Sequence, residues 1–252
     1  MLTIYFSGTG NTRYIAQEFS KRMKWACYSI EENVDFDRIL NEAETLAIGY
    51  PIYGSDVPMI MQNFIERYKS KIQGKKLIIF CTQLLFSGDG ARVLTDYLDG
   101  IDHKVVYAEH FLMPNNICNF FLLRVPSEKR IERYTRRADQ KLQRVCEEIK
   151  QGRIRRKGFN PISKYLGLLT QRKGFQKMFV NIKKDVLVDE DCISCGKCVQ
   201  LCPMKNLYME NGVIKHKNNC TACFRCVNQC PKGAITVFTH SKVKKQYRGI
   251  SS

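Results

Sequence analysis

The chain has 252 residues and a formal net charge of +17 at neutral pH, and twelve of its residues are cysteine. No segment has the apolar run of a signal peptide or of a transmembrane helix, so we expect a cytoplasmic, reducing location. No nucleic-acid-binding motif accompanies the excess of lysine and arginine, so the charge alone gives only weak support to a nucleic-acid partner.

The chain begins with a β-favouring run over residues 2–6, a polar loop and a helical segment over about residues 13–23. The loop, called the 7–12 loop below, consists of Ser7, Gly8, Thr9, Gly10, Asn11 and Thr12. Its glycines allow the backbone to close on a phosphate, and N–H groups at a helix N-terminus favour an anion. It lacks the lysine of the P-loop and the third glycine of the dinucleotide fingerprint. On the motif alone, an ordinary strand-to-helix turn remains the alternative.

Strands and helices then alternate through the first half of the chain. Apolar runs predict strands over residues 45–50, 76–81 and 104–111. Helices are expected up to about residue 70 and again after residue 90. This alternation predicts a parallel sheet with helices on both faces. A ligand of such a sheet lies at the carboxyl ends of the strands, where the loops over residues 51–58 and 82–90 meet the 7–12 loop.

The 7–12 loop resembles the FMN phosphate loop of flavodoxins, written S/T-x-T-G-x-T. The resemblance covers about residues 1–150 and implies a doubly wound, parallel, five-stranded sheet that binds FMN. It implies Tyr53 and Phe86 as aromatic groups that hold the flavin ring, although either could instead anchor its own loop. The other FMN contacts that it implies in these two loops are Pro51, Gly54, Ser87, Gly88 and Asp89.

Two features depart from the flavodoxin pattern. The sole tryptophan, Trp25, lies on a predicted strand, so we expect it in the core and not on the flavin. Flavodoxins are strongly acidic and this domain is not, so their redox potentials do not carry over.

A basic segment follows the first domain. Residues 151–184 contain ten Lys/Arg and no Asp/Glu, and the tail over residues 241–252 contains four and none. Three interpretations of this linker stay open. In the first, the linker packs across the domains with its charges in solvent. In the second, the linker binds an acidic redox partner or a membrane surface, and in the third it binds nucleic acid. We therefore divide the chain into residues 1–150, the linker 151–184, a domain over 185–240 and the tail.

An apolar loop over residues 112–126 follows the last strand of the first domain. A loop of this composition is rarely left in water, so we expect it to dock the second domain or to shape a pocket over the flavin. A plain extension of the core is the alternative. No cluster of residues marks a catalytic base; His110 is the nearest candidate, and we interpret it as structural.

Eight cysteines form two copies of one pattern. Each copy has the form C-x2-C-x2-C-x3-C-P, and the second begins 28 residues after the first. This is the bacterial spacing for two [4Fe–4S] clusters, in which the fourth cysteine of each run ligates the other cluster. Zinc ribbons lack such a run. The first predicted cluster takes Cys192, Cys195, Cys198 and Cys230, and the second takes Cys220, Cys223, Cys226 and Cys202. The scattered Cys27, Cys81, Cys118 and Cys146 are interpreted as small buried hydrophobes.

The cysteine-rich segment resembles the two-cluster bacterial-type ferredoxins over about residues 185–240. The whole chain resembles the anaerobe-type flavodoxin–ferredoxin fusion proteins, which implies electron transfer between FMN and two clusters, with redox proteins as partners. Two alternatives remain, an FMN-dependent reductase of a small substrate and a redox-sensing binding protein. The sequence identifies neither the donor, nor the acceptor, nor the oligomeric state.

Overall fold

The computed structural model describes residues 1–120 and 122–250. Its larger part is a parallel sheet with the strand order β2-β1-β3-β4-β5-β6. The strands are β1 (Leu2–Tyr5), β2 (Ala26–Ser29), β3 (Thr45–Pro51), β4 (Lys76–Gln83), β5 (Lys104–Leu112) and β6 (Arg155–Arg156). The first five follow the doubly wound order 2-1-3-4-5 of flavodoxin-like sheets, which confirms the predicted fold class.

Helices cover both faces of the sheet. Helices α1 (Asn11–Met23) and α4 (Glu128–Lys150) pack on one face, and α2 (Phe36–Glu42) and α3 (Met59–Ile72) on the other. Each long helix presents an apolar stripe at helical spacing, as Ile15, Ala16 and Phe19 do on α1. The central strands are therefore buried from both sides, which explains their nearly continuous apolar runs.

The first domain differs from expectation in two places. A sixth strand, β6, comes from the basic linker and pairs in parallel with β5. The helix expected after residue 90 is a 3₁₀ helix over Val93–Leu98. Trp25 directly precedes β2 and packs edge-on against Phe19 with 5.5 Å between ring centroids, so it lies with the core as expected.

The rest of the linker is helical. Helix α5 (Pro161–Gly167) continues through a π-helical turn at Leu168–Arg172 into α6 (Lys173–Ile182). The side chain of Asn160 caps α5 by accepting a hydrogen bond of 2.8 Å from the N–H of Ser163. The linker is thus a folded segment that packs on the first domain through α5, while the apolar residues of α6 pack with the cysteine-rich domain.

The C-terminal part contains two small antiparallel sheets. Strands β7 (Val186–Val188) and β10 (Ile235–Val237) form one, and β8 (Leu207–Glu210) and β9 (Val213–His216) form the other. Each cysteine run leads into a short helix. These helices are α7 (Lys197–Leu201) and α8 (Arg225–Gln229). Among the described residues, no helix combines the length and apolarity needed to cross a membrane.

Candidate cofactor sites

A cavity of about 270 Å³ lies at the carboxyl ends of the parallel strands, where the first domain, the linker and the cysteine-rich domain meet. The residues that line it are Ser7, Gly8, Thr9, Asn11, Thr12, Pro51, Ile52, Tyr53, Gly54, Thr82, Gln83, Leu84, Met113, Pro114, Asn115, Asn116, Ile117, Phe175, Met178, Ile182, Ala222, Phe224 and Phe238. None of these described residues is Asp, Glu, His, Lys or Arg, so the cavity has an uncharged wall. Below it is called the sheet-end cavity.

The 7–12 loop forms one end of this cavity. Gly10 has a left-handed backbone with φ of 107°, and its N–H donates to Ser7 Oγ over 3.1 Å. This turn leads directly into α1, whose first N–H groups lack intrahelical partners. Thr12 Oγ1 is already paired with Thr82 Oγ1 at 2.8 Å, so the side chain of Thr12 positions the loop. The loop thus offers backbone N–H groups to an anion, as the phosphate of FMN requires.

Tyr53 forms the wall between the sheet-end cavity and the cysteine-rich domain. Its hydroxyl is buried, and no hydrogen-bond partner for it is found within residues 1–120 and 122–250. Burial raises the pKa of Tyr53 well above its ordinary value, with a further increase from the neighbouring Cys223. A buried hydroxyl without a partner is costly. The position therefore suits a polar or anionic group in contact with Tyr53.

Four of the implied FMN contacts lie elsewhere. The segment Phe86, Ser87, Gly88 and Asp89 does not line the sheet-end cavity. A Cβ atom added to Gly88 would lie 2.6 Å from the backbone nitrogen of Gly167 and from the carbonyl oxygen of Ser163. Helix α5 therefore packs directly on this segment. Asp89 is fully buried and paired with Arg92 and Arg172. The linker packs on the surface that this loop was expected to offer to the flavin, so contact of these four residues with FMN stays a prediction.

The linker supplies a cover that the sequence had not assigned to the site. The ring of Phe175 in α6 lies directly against Gly54. A Cβ atom on Gly54 would overlap this ring. Arg172 donates from Nε to the carbonyl of Ser55 over 2.9 Å, and Gln176 donates to Asp56 over 2.8 Å. The sequence left three interpretations of this segment open, of which one was that it covers the domains, and none placed Phe175 at the site. The ring that faces the loop of Gly54 comes from outside the flavodoxin-like part of the chain.

The eight patterned cysteines fall into two groups in space. Cys192, Cys195, Cys198 and Cys230, the first cysteine set, line one small cavity, and Cys202, Cys220, Cys223 and Cys226, the second cysteine set, line another. Each set therefore combines three cysteines of one run with the fourth of the other. In the described part of the chain, no three His, Cys, Asp or Glu side chains converge on a point suited to a single metal ion. A cubane spreads its thiolates around four irons, so the sets fit clusters and not one ion.

The second cysteine set lies deeper than the first. Burial raises the pKa of Cys220 to about 12 and that of Cys223 to about 11, whereas Cys195 of the first set is exposed. The backbone N–H groups of Asn206 and Ala222 point at Cys202 Sγ and Cys220 Sγ, each over 3.3 Å. Such N–H···S contacts stabilise negative charge on sulfur, as a bound cluster requires.

Arg225 ties the second cysteine run to the 7–12 loop. It lies between Phe224 and Cys226, and it donates to the carbonyls of Ser7 and Gly8 over 2.7 and 2.9 Å. The same guanidinium forms a two-pronged ion pair with Glu31, with distances of 2.7 and 2.6 Å. Arg225 is therefore one of the side chains that hold the second cysteine run against the first domain, through charge-assisted hydrogen bonds.

The apolar loop after β5 contributes to the same junction. Its residues 113–117 line the sheet-end cavity. The carbonyl of Asn116 accepts from Asn228 over 2.8 Å, and Asn119 donates to the carbonyl of Val237 over 2.9 Å. The loop thus both shapes the cavity and docks the second domain, as the sequence predicted, although Phe121 lies outside the described residues.

His110 is not at the sheet-end cavity. It is buried beside β6, and its Nε2 accepts a hydrogen bond of 3.2 Å from the N–H of Ala91. Burial, together with the charge of Lys157, lowers its pKa to about 4. His110 is therefore neutral at physiological pH, in line with a structural role. Of the other cysteines, Cys81 and Cys146 are buried, and Cys27 and Cys118 are half-buried.

Comparison with known proteins identifies both halves of the chain. Residues 2–121 match the family model of a flavodoxin domain, and residues 184–231 match that of a 4Fe–4S dicluster domain. A search of curated proteins gives no match.

Solved structures similar to this chain cover its first half. A flavodoxin from the domain Archaea has 19% identity and a TM-score of 0.37, with 57% of this chain and 96% of that chain covered. The two-electron reduced flavodoxin of Megasphaera elsdenii has 24% identity and a TM-score of 0.39, with 46% and 90% covered. The rubredoxin oxygen:oxidoreductase of Desulfovibrio gigas has 14% identity and a TM-score of 0.40, with 60% and 36% covered. From its two family matches, the chain is a flavodoxin–ferredoxin fusion, an electron-transfer flavo-iron–sulfur protein.

Proposed function

We propose that this chain holds one FMN and two [4Fe–4S] clusters and passes electrons between them in anaerobic-type metabolism. Clusters exchange single electrons and FMN exchanges one or two, so together these groups would connect one-electron with two-electron carriers. The observation that carries the proposal is the contact between Gly8 of the 7–12 loop and Cys223 of the second cysteine set. The two predicted cofactor sites share this wall.

The 7–12 loop would hold the phosphate of FMN through its backbone N–H groups. Pro51, Tyr53 and Gly54 would lie along the flavin from the side of β3, and Phe175 would cover it from the linker. The uncharged wall of the cavity leaves the neutralisation of the phosphate to the helix N-terminus and the loop. Phe175 would connect this site to the cysteine-rich domain, because it packs in one apolar cluster with Phe224 and Val227.

The two cysteine sets would each hold one cluster. The second set lies against the first domain, because Cys223 packs with the core that contains Tyr53. The first set lies on the far side and includes the exposed Cys195. The order across the molecule is therefore sheet-end cavity, second cysteine set, first cysteine set. Electrons would enter or leave at the exposed first set, where we propose that a redox partner protein docks.

The structure supports an electron carrier more than a reductase of a small substrate. A reductase at this site requires a proton donor or an anchor for its substrate. Apart from Tyr53, the described residues that line the sheet-end cavity include no titratable side chain. The linker and the second cysteine run line part of the cavity, and their side chains there are apolar.

The first test is the cofactor content of protein purified without oxygen. We expect one FMN per chain, about eight irons and about eight sulfides. FAD in place of FMN, or stoichiometric zinc in place of iron, contradicts the proposal. Limited proteolysis of the same sample tests the division into residues 1–150, 151–184, 185–240 and 241–252, which stays a prediction.

The second test is whether transfer occurs within one molecule. Rapid mixing with a low-potential one-electron reductant should show that bleaching of the clusters and reduction of the flavin are kinetically linked. The rate that links them should not depend on protein concentration, because both sites belong to one chain. Arg225→Gln removes the ties to Ser7, Gly8 and Glu31 and should slow this rate. Arg67→Gln, the same change on an exposed arginine of α3, is the matched control. A rate proportional to protein concentration would show transfer between molecules and refute the proposal.

A further inference from the structure

An exposed apolar patch runs along the linker and the neighbouring loop. It consists of Leu85, Ile162, Tyr165, Leu166 and Leu169, which are 74%, 72%, 62%, 42% and 66% exposed. Positions 162, 165, 166 and 169 share one face of a helix. The loop that carries Leu85 packs on α5 through Gly88 and Gly167, so Leu85 belongs to a loop in direct contact with this helix.

Basic side chains accompany this patch. Lys173 and Lys177 follow Leu169 at intervals of four residues, which continues the same helical line into α6. Both are exposed, as is Lys164, and within residues 1–120 and 122–250 none of the three forms a salt bridge. No Asp or Glu occurs between Glu148 and Asp185. The patch and its surroundings therefore combine apolar surface with uncompensated positive charge.

The geometry points to an anionic lipid surface as the occupant of this patch. A helix that has exposed Ile, Leu and Tyr beside lysines, and no acid, has the composition of helices that lie in a membrane interface. The patch stands on the outside of a helix, and its residues line neither the sheet-end cavity nor the cavities of the two cysteine sets.

A second copy of the chain fits the patch poorly. A two-fold contact would place the patch of one copy on that of the other, and Lys173 and Lys177 would face like charges. An anionic bilayer accepts the apolar side chains and pairs with the lysines at the same time. The protein would then attach reversibly at the surface through α5 and α6, with the first cysteine set on another part of the molecule.

The test is co-sedimentation of the full-length, cofactor-loaded protein with lipid vesicles. Binding is expected with vesicles of phosphatidylcholine and phosphatidylglycerol, and not with phosphatidylcholine alone. Ile162→Gln combined with Leu169→Gln should lower the partition coefficient by about tenfold, because it removes apolar side chains that enter the bilayer. The matched control, Leu187→Gln with Val213→Gln, changes equally apolar residues that are 49% and 57% exposed on the other domain, and should bind like wild type.

Charge is tested with a second matched pair. Lys173→Gln with Lys177→Gln should weaken binding to the anionic vesicles, while Lys242→Gln with Lys244→Gln on the tail should have a smaller effect. The proposal is overturned if wild type ignores both kinds of vesicle, or if the controls lose as much binding as the patch variants. If the patch variants only convert a dimer to a monomer, a second copy of the chain is the occupant and the proposal is overturned. If they only abolish binding to poly-L-glutamate, an acidic protein is the occupant and the proposal is also overturned.

Discussion

The carbonyl oxygen of Cys223 lies 2.6 Å from the point where a Cβ atom on Gly8 would stand. The hydroxyl of Tyr53 lies 2.8 Å from the same point. Both distances are shorter than a carbon atom tolerates, so the close approach of the two domains depends on the absence of a side chain at this position. The 7–12 loop and the second cysteine run are thus in backbone contact.

Gly8→Ala should separate these two elements. Gly8 is not among the residues with left-handed backbone, so the alanine acts through its contact and not through backbone strain. Overpacking of this kind costs about 1–3 kcal/mol. We expect slower transfer between clusters and flavin in rapid mixing, and weaker FMN binding in a flavin titration. Gly174→Ala is the control, because no atom lies within 4 Å of its added Cβ. Equal rates in wild type and Gly8→Ala would contradict a functional contact.

Cys202 belongs to the first run in sequence but to the second cysteine set in space, and Cys230 belongs to the second run but to the first set. Substitution of each cysteine can test this grouping. Cys202→Ala should impair the cluster held by the second set, and Cys230→Ala the cluster held by the first, since each loses one of four thiolates. EPR spectra of the reduced, anaerobic variants, read with their iron content, would distinguish the two losses. Each variant serves as the control for the other. If Cys202→Ala instead removed the signal of the cluster that Cys192, Cys195 and Cys198 hold, the spatial grouping would be wrong.

The sequence predicted the elements that repeat a simple pattern and missed those that depend on contacts distant in the chain. Strands β1, β3, β4 and β5 were predicted because their apolar runs and turn residues are local signals. The fold class was predicted for the same reason. Strand β6 is two residues long and forms only because β5 has a free edge beside the linker. No local pattern could predict such a strand.

The same limit explains the flavin contacts. The resemblance to flavodoxins implied Phe86, because in that family the third loop faces the flavin. Here α5 packs on this loop, and Arg172 pairs with Asp89 below it. Phe175 takes the position over Gly54, 121 residues further along the chain. A family pattern for the first domain cannot predict a residue that the linker supplies.

Phe86 and Phe175 are the two candidates for the aromatic ring that contacts the flavin, the first from the family resemblance and the second from the structure. Substituting each one compares the two candidates directly. Phe175→Ala removes the ring that covers the loop of Gly54 and lines the sheet-end cavity. It should weaken FMN binding by about 1–2 kcal/mol, or roughly tenfold in Kd. Phe86→Ala makes the same chemical change on a side chain that is 49% exposed and does not line the cavity, and it should leave Kd unchanged. Fluorescence titration of the flavin-free protein with FMN measures both. A larger loss in Phe86→Ala would restore the family assignment.

The stability of the first domain should depend on His110 in mildly acidic solution. The His110 ring is 4% exposed, and burial is the main reason that its pKa falls from 6.5 to about 4. Lys157 and Lys141 add to this effect, while Glu109 opposes it. The unfolded chain, where the pKa is normal, therefore binds more protons than the folded chain between these two values. Stability is fully present above pH 6.5 and falls as the pH falls toward 4.

His110→Gln should flatten this dependence. A glutamine amide oxygen can accept the hydrogen bond from the N–H of Ala91 as Nε2 does, and it does not titrate. Between about pH 7.5 and about pH 5.5, wild type should lose about 1 kcal/mol more free energy of unfolding than the variant, because one unit of pKa shift is worth about 1.4 kcal/mol. Urea unfolding followed by the fluorescence of Trp25, the sole tryptophan, measures this in the domain that contains His110. His103→Gln is the control, since His103 is a half-exposed residue directly before β5, at the opposite end of the strand from His110, and this variant should follow the pH curve of wild type. Parallel pH curves for wild type and His110→Gln would show that His110 is not held neutral by the fold.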